Sequence, residues 1–220
     1  MTAREVLVFD MDGVLVDVRE SYREAITRTV EYFTGTRITR QRIQELKNEG
    51  GWNNDWALSQ KICRDLGFDL DYETVVAYFQ SIFFGEDGLV TRERWVAEPD
   101  LLERLGARYR LAIFTGRTRE EAGFTLSRNA MPGMFDPIVT ADDVARGKPD
   151  PEGLHLIAKQ APGAKLWYIG DTVDDARAAR AAGVPFIGIA ADSADLTALL
   201  KQEGAIAVLE DVNQLERAIP

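Results

Sequence analysis

The stretch Val8-Phe9-Asp10-Met11-Asp12-Gly13-Val14-Leu15-Val16-Asp17 decides the fold. Val6 to Phe9 make a short apolar run, which reads as a buried strand. The run stops on two aspartates one residue apart, and a glycine follows. Carboxylates at such a strand end lie at the carboxyl edge of a sheet, where open α/β folds build their sites. In extended chain, residues two apart point the same way. Asp10 and Asp12 would therefore face one pocket, provided the chain is still extended at Asp12. Two like charges that close repel unless a cation or a shared proton holds them. The placement predicts a metal, or one nucleophilic and one protonated carboxylate.

Beyond this strand the pattern turns helical. Arg19 to Phe33 carries Tyr22, Ile26, Val30 and Phe33 at helical spacing, and Arg40–Asn48, Asp55–Leu66 and Tyr72–Phe84 read similarly. Turn chemistry separates them at Gly50-Gly51-Trp52-Asn53-Asn54 and Gly67-Phe68-Asp69. No strand interrupts the block, which reads as a helical unit inserted after the first strand. From Pro99 strands and helices alternate. Buried strands are predicted at Arg110–Phe114, Pro137–Thr140, Leu166–Ile169 and Val184–Ile189. Thr118 to Glu121 is a capping box. Asp150-Pro151 reads as an N-cap with proline at the first helical position. An alanine-rich helix after Asp171 runs to Ala182, with Gly183 as its stop. Such alternation predicts an α/β fold, a doubly wound parallel sheet with helices on both faces.

Three strands thus end in polar signatures: Asp10 with Asp12, Thr115-Gly116-Arg117, and Asp171 with Asp175. Lys148, in Gly147-Lys148-Pro149, precedes a capped helix. In a parallel sheet all four clusters share one edge. Each alone is weak, since an Asp-x-Asp is most often a turn or cap, and Thr-Gly-Arg or Gly-Lys-Pro occurs by chance. Their order and shared position argue for chemistry. The inventory is what phosphoryl transfer needs. Asp10 can attack phosphorus as a carboxylate nucleophile. Asp12 can protonate the leaving oxygen and later take a proton from water. Thr115 and the N–H groups at Gly116 can hold phosphate oxygens. Lys148 can neutralise charge that builds in the transition state. Asp171, with Asp175 nearby, can complete an oxygen-rich site for Mg²⁺.

The 220 residues are enough for a buried core in one or two domains. A formal net charge of −10 argues against a nucleic-acid backbone or an anionic membrane as main partner. It leaves room for an anionic small substrate, because a bound metal reverses the local field. Cys63 is the only cysteine, so no internal disulfide forms, and it reads as a small core residue. No targeting segment precedes the first strand and no apolar stretch is long enough to span a bilayer. A cytoplasmic protein is expected, and monomer or homodimer both fit. His155 is the only histidine, which rules out a histidine-rich metal site and leaves it structural.

Taken together, these residues resemble the haloacid dehalogenase-like hydrolase superfamily. Asp10-Met11-Asp12-Gly13-Val14-Leu15-Val16-Asp17 is similar to its first motif, Thr115-Gly116 to the second, and Lys148 in Gly147-Lys148-Pro149-Asp150-Pro151 to the third. Gly170-Asp171-Thr172-Val173-Asp174-Asp175 fits the fourth, in its Gly-Asp-x-x-x-Asp form. The match is to members with a helical cap after the first motif, the phosphoglycolate phosphatase and beta-phosphoglucomutase-like group. The resemblance implies a catalytic core at 1–18 and 91–220 and a mobile helical cap at 19–90. It implies Asp10 as nucleophile and Asp12 as general acid/base. It implies Mg²⁺ held by the Asp10 carboxylate, the Asp12 carbonyl and Asp171. Asp175 would hold the metal's waters or Lys148, with the adjacent Asp174 as competitor. Haloalkanoate dehalogenases lack an aspartate at the Asp12 place, so the resemblance favours phosphate-ester hydrolysis.

In capped members the leaving group meets the cap. The candidate segment runs from Lys47 to Trp56. Lys47, Asn53 and Asn54 could bind hydroxyls or an anion, Gly51 could allow close backbone approach, and Trp52 could cover a ring. Otherwise the segment is a helix-linking turn, with Asn54 as N-cap and Trp56 in the unit's own core. Arg117 could point at the phosphate or a substrate carboxylate, or form a surface salt bridge. Phe83-Phe84 and Gly85-Glu86-Asp87-Gly88 would pack the cap and open its return hinge. The expected activity is a Mg²⁺-dependent phosphatase acting on a small phosphorylated metabolite through an aspartyl-phosphate. Phosphoglycolate, sugar phosphates and amino-alcohol phosphates such as histidinol phosphate stay open as substrates, with the tryptophans pointing toward a ring-bearing or larger leaving group. The alternatives are a sugar phosphomutase, an inorganic pyrophosphatase, and, outside enzymes, a receiver-like signalling domain or a binding module.

Overall fold

The computed structural model describes residues 4–85, 87–129, 131, 133–191 and 193–219. Glu86, in the expected return hinge, lies outside them, as does the start of the chain at 1–3. The chain divides into two compact units: Met1–Val16 with Trp95–Pro220, and Asp17–Arg94. The chain passes between them through two short paired strands.

Strand β1 (Val6–Phe9) opens the first unit, and β2 (Val16–Asp17) leads out of it. The second unit holds helices α1 (Tyr22–Thr34), α2 (Arg40–Glu49), α3 (Asp55–Asp65) and α4 (Tyr72–Phe83). Helix α1 begins three residues later than its apolar spacing suggests. Asp17 ties the backbone and guanidinium of Arg19 into a local turn, and the Ser21 hydroxyl donates to the Val18 carbonyl. Thr39, Asn54 and Asp71 cap the other three helices, each accepting from a backbone N–H three residues on. Their apolar faces meet in an aromatic core. The Tyr22 and Phe83 rings lie 4.2 Å apart, and Trp56 stands edge-on to Phe79. Ile26, Val30, Ile43, Leu58 and Cys63 fill the rest and are fully buried.

Strand β3 (Arg94–Trp95) pairs with β2 and returns the chain. The first unit then continues as α5 (Pro99–Arg108), β4 (Arg110–Phe114), α6 (Arg119–Arg128), β5 (Ile138–Val139) and α7 (Glu152–Gln160). It closes with β6 (Leu166–Gly170), α8 (Val173–Ala182), β7 (Phe186–Ile189), α9 (Ala194–Gln202) and β8 (Ala207–Leu209). Its six strands form one parallel sheet in the order β5-β4-β1-β6-β7-β8. Both faces are covered, as parallel sheets require. Val6, Val8, Ala112, Phe114 and Tyr168 pack with Leu154 and Ile157 of α7, Ala176 and Ala179 of α8, and Leu200 of α9. The alternate residues Leu7, Phe9, Ile113 and Ile169 are equally buried.

Two local expectations shift. Helix α7 starts at Glu152, so Pro151 is its cap residue and not its first turn. The Asp150 carboxylate still accepts from the Glu152 N–H, at 3.0 Å. Strand β1 ends at Phe9, so strand alternation does not carry Asp12. Met11 begins a tight loop in which its carbonyl accepts from the N–H groups of Leu15 and Val16. Among the described residues no helix is long and apolar enough to cross a membrane.

Candidate active site

The strand order fixes where a site can form. From β1 the sheet grows outward through β4 to β5, then returns to β6 on the other side of β1. The order reverses between β1 and β6, and the crevice beyond the carboxyl ends of those strands is where such sheets bind ligands. Asp10 follows the end of β1 and Asp171 follows the end of β6. Asp10, Asp171 and Asp175 each present an oxygen, all within 4.8 Å of one another.

Two glycines make this approach feasible. Gly13 has φ +74°, and a Cβ there would lie 1.9 Å from Asp171 Oδ2. At Gly170 a Cβ would lie 2.5 Å from the Asp175 Cβ. Helix α8 starts directly behind, on a capping box. Thr172 Oγ1 accepts from the Asp175 N–H, and Asp175 Oδ2 accepts from the Thr172 N–H.

Lys148 lies at the centre of the cluster, fully enclosed, with Nζ 2.8 Å from Asp10 Oδ1 and 2.8 Å from Asp175 Oδ1. The Tyr168 hydroxyl donates to the same Asp175 oxygen at 2.6 Å. Burial alone would push the Lys148 ammonium down, but Asp10 and Asp175 outweigh it and hold its pKa above the ordinary value. Burial would likewise raise Asp175, yet Lys148, Thr172 and Tyr168 bring it below the usual carboxylate range. Asp10 goes the other way. Burial raises it most, Lys148 pulls it down, and Asp175, Asp12 and Asp171 raise it again, which leaves it well above the ordinary value. Its Oδ1 also accepts from the Met11 N–H at 2.7 Å.

This donor set fits a divalent cation. Three carboxylates converge, and Lys148 is the ammonium between two of them. Burial and the neighbouring carboxylates raise the Asp10 pKa, and a hard cation with oxygen ligands would offset that shift. Asp10 and Asp171 are the carboxylates that would hold the cation. Both oxygens of Asp175 are engaged by Lys148, Tyr168 and Thr172, which ties this residue to the lysine. Asp174 is also buried, but Asp175 is the neighbour that joins the cluster.

The second motif lies on the same edge. Thr115 follows the end of β4, and its Oγ1 accepts from the Arg117 N–H at 3.2 Å. Gly116 is exposed between two buried neighbours. The Thr118–Glu121 capping box opens α6 as its sequence predicts. Arg117 is no surface residue. Its side chain is 0% exposed and its guanidinium binds Asp12 Oδ1.

In the helical unit, the segment from 47 to 56 is largely engaged with itself. Lys47 pairs with Asp55 at 2.6 Å. Asn54 accepts from the Ala57 N–H at 2.9 Å and donates to the Tyr72 hydroxyl. Trp52 lies under the Lys61 ammonium, 5.6 Å from the ring centroid. Gly50 and Gly51 have φ of +83° and +82°. Trp52 and Asn53 stay partly exposed. Sequence reasoning overlooked Tyr168 and Thr172. Thr172 carried a signal, since Thr-x-x-Asp is capping-box spacing. Tyr168 carried a weaker one, the only hydroxyl in an apolar strand, which must find a partner when buried.

Comparison with known proteins agrees with this geometry. The family model for haloacid dehalogenase-like hydrolases matches residues 5–183. A Phytophthora nicotianae protein named imidazoleglycerol-phosphate dehydratase is 32% identical over 222 residues, covering 94% of this chain and 48% of that protein. The chain thus spans about half the length of that relative. A phosphorylated carbohydrates phosphatase of Thermotoga maritima is 28% identical over 225 residues, covering 94% of this chain and 99% of the relative. A solved hydrolase from Pseudomonas syringae superposes with a TM-score of 0.74 at 25% identity, covering 97% of both chains. With most of its length matched, the chain belongs to the haloacid dehalogenase-like hydrolases and is an enzyme of their phosphatase type.

Proposed function

We propose that the chain is a Mg²⁺-dependent phosphatase that hydrolyses a small phosphorylated metabolite through an aspartyl-phosphate on Asp10. The observation that carries this reading is the enclosed Lys148 ammonium, bridging Asp10 and Asp175 beside a three-carboxylate cluster at the switch point of the sheet. Asp10 attacks phosphorus, and the bond to the leaving oxygen breaks with its electron pair going to that oxygen. Asp12 supplies the proton that neutralises it. Water then attacks the acyl phosphate, returns a proton to Asp12, and releases inorganic phosphate and the free Asp10 carboxylate. Lys148 stays charged throughout and offsets negative charge on the phosphoryl oxygens. Mg²⁺, when bound, would add further charge neutralisation and keep Asp10 ionised.

In this reading the Asp17–Arg94 unit takes the cap's part in substrate choice, with Trp52 and Asn53 as its partly exposed candidates. The names of two relatives suggest which substrates to test first. The Thermotoga protein is named for phosphorylated carbohydrates. The Phytophthora protein is named for a phosphate compound that carries an imidazole. A phosphomonoester bearing an imidazole, such as histidinol phosphate, therefore joins sugar phosphates and phosphoglycolate at the head of the panel.

The test is phosphate release from that panel, with Mg²⁺ and with chelator, beside the Asp10→Asn variant. Metal-dependent release that disappears in the variant supports the reading. Conversion of a sugar phosphate to its isomer without net phosphate release would assign the mutase instead. Substantial turnover by the variant would remove Asp10 from its role.

A further inference from the structure

Resting on the phosphatase reading, we propose that Arg117 is a positioning residue for the acid step: it holds the Asp12 carboxyl by Oδ1 and so presents Oδ2 to the leaving group. Its Nε and Nη2 both donate to Asp12 Oδ1, at 2.8 and 2.5 Å. Its Nη1 donates to Thr125 Oγ1 on α6, at 2.7 Å. The backbone is held as well. Its N–H donates to Thr115 Oγ1, and its carbonyl accepts from the Ala141 N–H at 2.9 Å.

A guanidinium has five donors in a rigid plane and no acceptor. An oxygen that accepts two of those donors is committed to the guanidinium. Oδ2 is the oxygen outside the fork, and the one placed to exchange a proton with the leaving group. Exposure follows the same division. The Arg117 side chain is 0% exposed and that of Asp12 31%, so the carboxyl is anchored on its buried side and open on the other. Asp12 needs such an anchor because it sits beyond β1 in a tight loop, without a strand ladder to orient it. In the first step the proton leaves Oδ2 for the leaving oxygen as the P–O bond breaks. Arg117 exchanges no proton and touches no reacting atom. A substrate carboxylate, the other partner open to this arginine, would have to displace Asp12 from both donors.

The dependence of rate on leaving group separates these roles. A good leaving group departs without a proton, and a poor one needs the acid. The experiment measures kcat/KM in Mg²⁺ for p-nitrophenyl phosphate and a set of alkyl phosphates, in wild type, Arg117→Met, Arg117→Lys and Thr125→Val. kcat/KM reports steps through departure of the leaving group, so slow hydrolysis of the aspartyl-phosphate does not mask the effect. General acids contribute about 10²–10⁴-fold. Arg117→Met is expected to lose about 100-fold or more on alkyl phosphates and about 5-fold or less on the nitrophenyl ester. Arg117→Lys should restore part of the difference. Thr125→Val, which keeps the Asp12 bonds and removes the anchor on α6, should fall between. It also serves if the methionine variant does not fold.

Equal loss on every substrate would mean a merely structural arginine and overturn the inference. So would a raised KM confined to carboxylate-bearing substrates with the leaving-group dependence unchanged. If the wild type releases no phosphate from any compound, the phosphatase reading falls and the inference falls with it. If it does, and the dependence stays flat in the variants, the inference alone falls.

Discussion

A methyl group on Gly13 would put its carbon 1.9 Å from Asp171 Oδ2, on a backbone whose φ of +74° already disfavours a side chain. Gly13→Ala must therefore push Asp171 away from Asp10 or distort the loop that carries Asp12. Either movement removes an oxygen from the proposed cation site while leaving the core untouched. The expected result is a loss of about 100-fold or more in phosphatase activity and weaker Mg²⁺ binding by calorimetry, with an unchanged circular dichroism spectrum. Cys63 makes a different prediction. The thiol is buried in the helical unit, and burial pushes its pKa from 9.0 up to about 11. The unfolded chain therefore ionises first as pH rises. The stability tied to the neutral thiol is whole below pH 9 and is lost between pH 9 and 11. In denaturant melts across that window, the wild type should lose stability relative to Cys63→Ala. Native protein at pH 8 should also react slowly with thiol reagents.

Helix α3 tests whether the 47–56 segment serves its own fold or a substrate. Asn54 Oδ1 caps the helix and its Nδ2 reaches Tyr72. Asn54→Ala should cost about 1 kcal/mol in chemical denaturation and leave KM near the wild-type value. A large rise in KM at unchanged stability would restore the substrate role. Caps of this kind were legible in the sequence because their chemistry is local. Thr118 with Glu121, Asn54 with Ala57 and Gly183 with its left-handed φ each depend on neighbours a few residues away. The strands β1, β4 and β6 were legible too, because a strand buried on both faces is an uninterrupted apolar run. Edges were not. β8 is three residues at the sheet margin, all partly exposed, and β2 and β3 are two residues each. Their pairing is decided by where the sheet and the inserted unit bring them, which no short window contains. The same holds within the site. Asp10, Lys148 and Asp171 stood out by spacing. The burial of Arg117 against Asp12 and of Tyr168 against Asp175 joins residues far apart or hidden in apolar sequence, and needed the fold.

On the scale of the molecule, the candidate site's charged cluster belongs to one unit: Asp10, Asp171, Asp175 and Lys148 all lie in the α/β unit. Without a cation, Asp10 has its pKa raised by burial and by the neighbouring carboxylates, so the folded α/β unit bears a repulsion that the unfolded chain does not. A bound cation removes that repulsion and adds its own binding energy, by about 2.7 kcal/mol at a concentration of 100 Kd. Mg²⁺ should therefore raise the thermal midpoint of the α/β unit by roughly 5 °C or more and leave a transition of the helical unit in place. Asp171→Asn separates the two terms. It deletes one of the carboxylates that bear on Asp10, so the metal-free variant should melt at or above the wild type. It also deletes a ligand of the proposed cation site, so added Mg²⁺ should no longer move the midpoint. Scanning calorimetry of both proteins, with Mg²⁺ and with chelator, reads both effects. A variant that melts below wild type without metal, or keeps the full Mg²⁺ shift, would place the cation elsewhere than between β1 and β6.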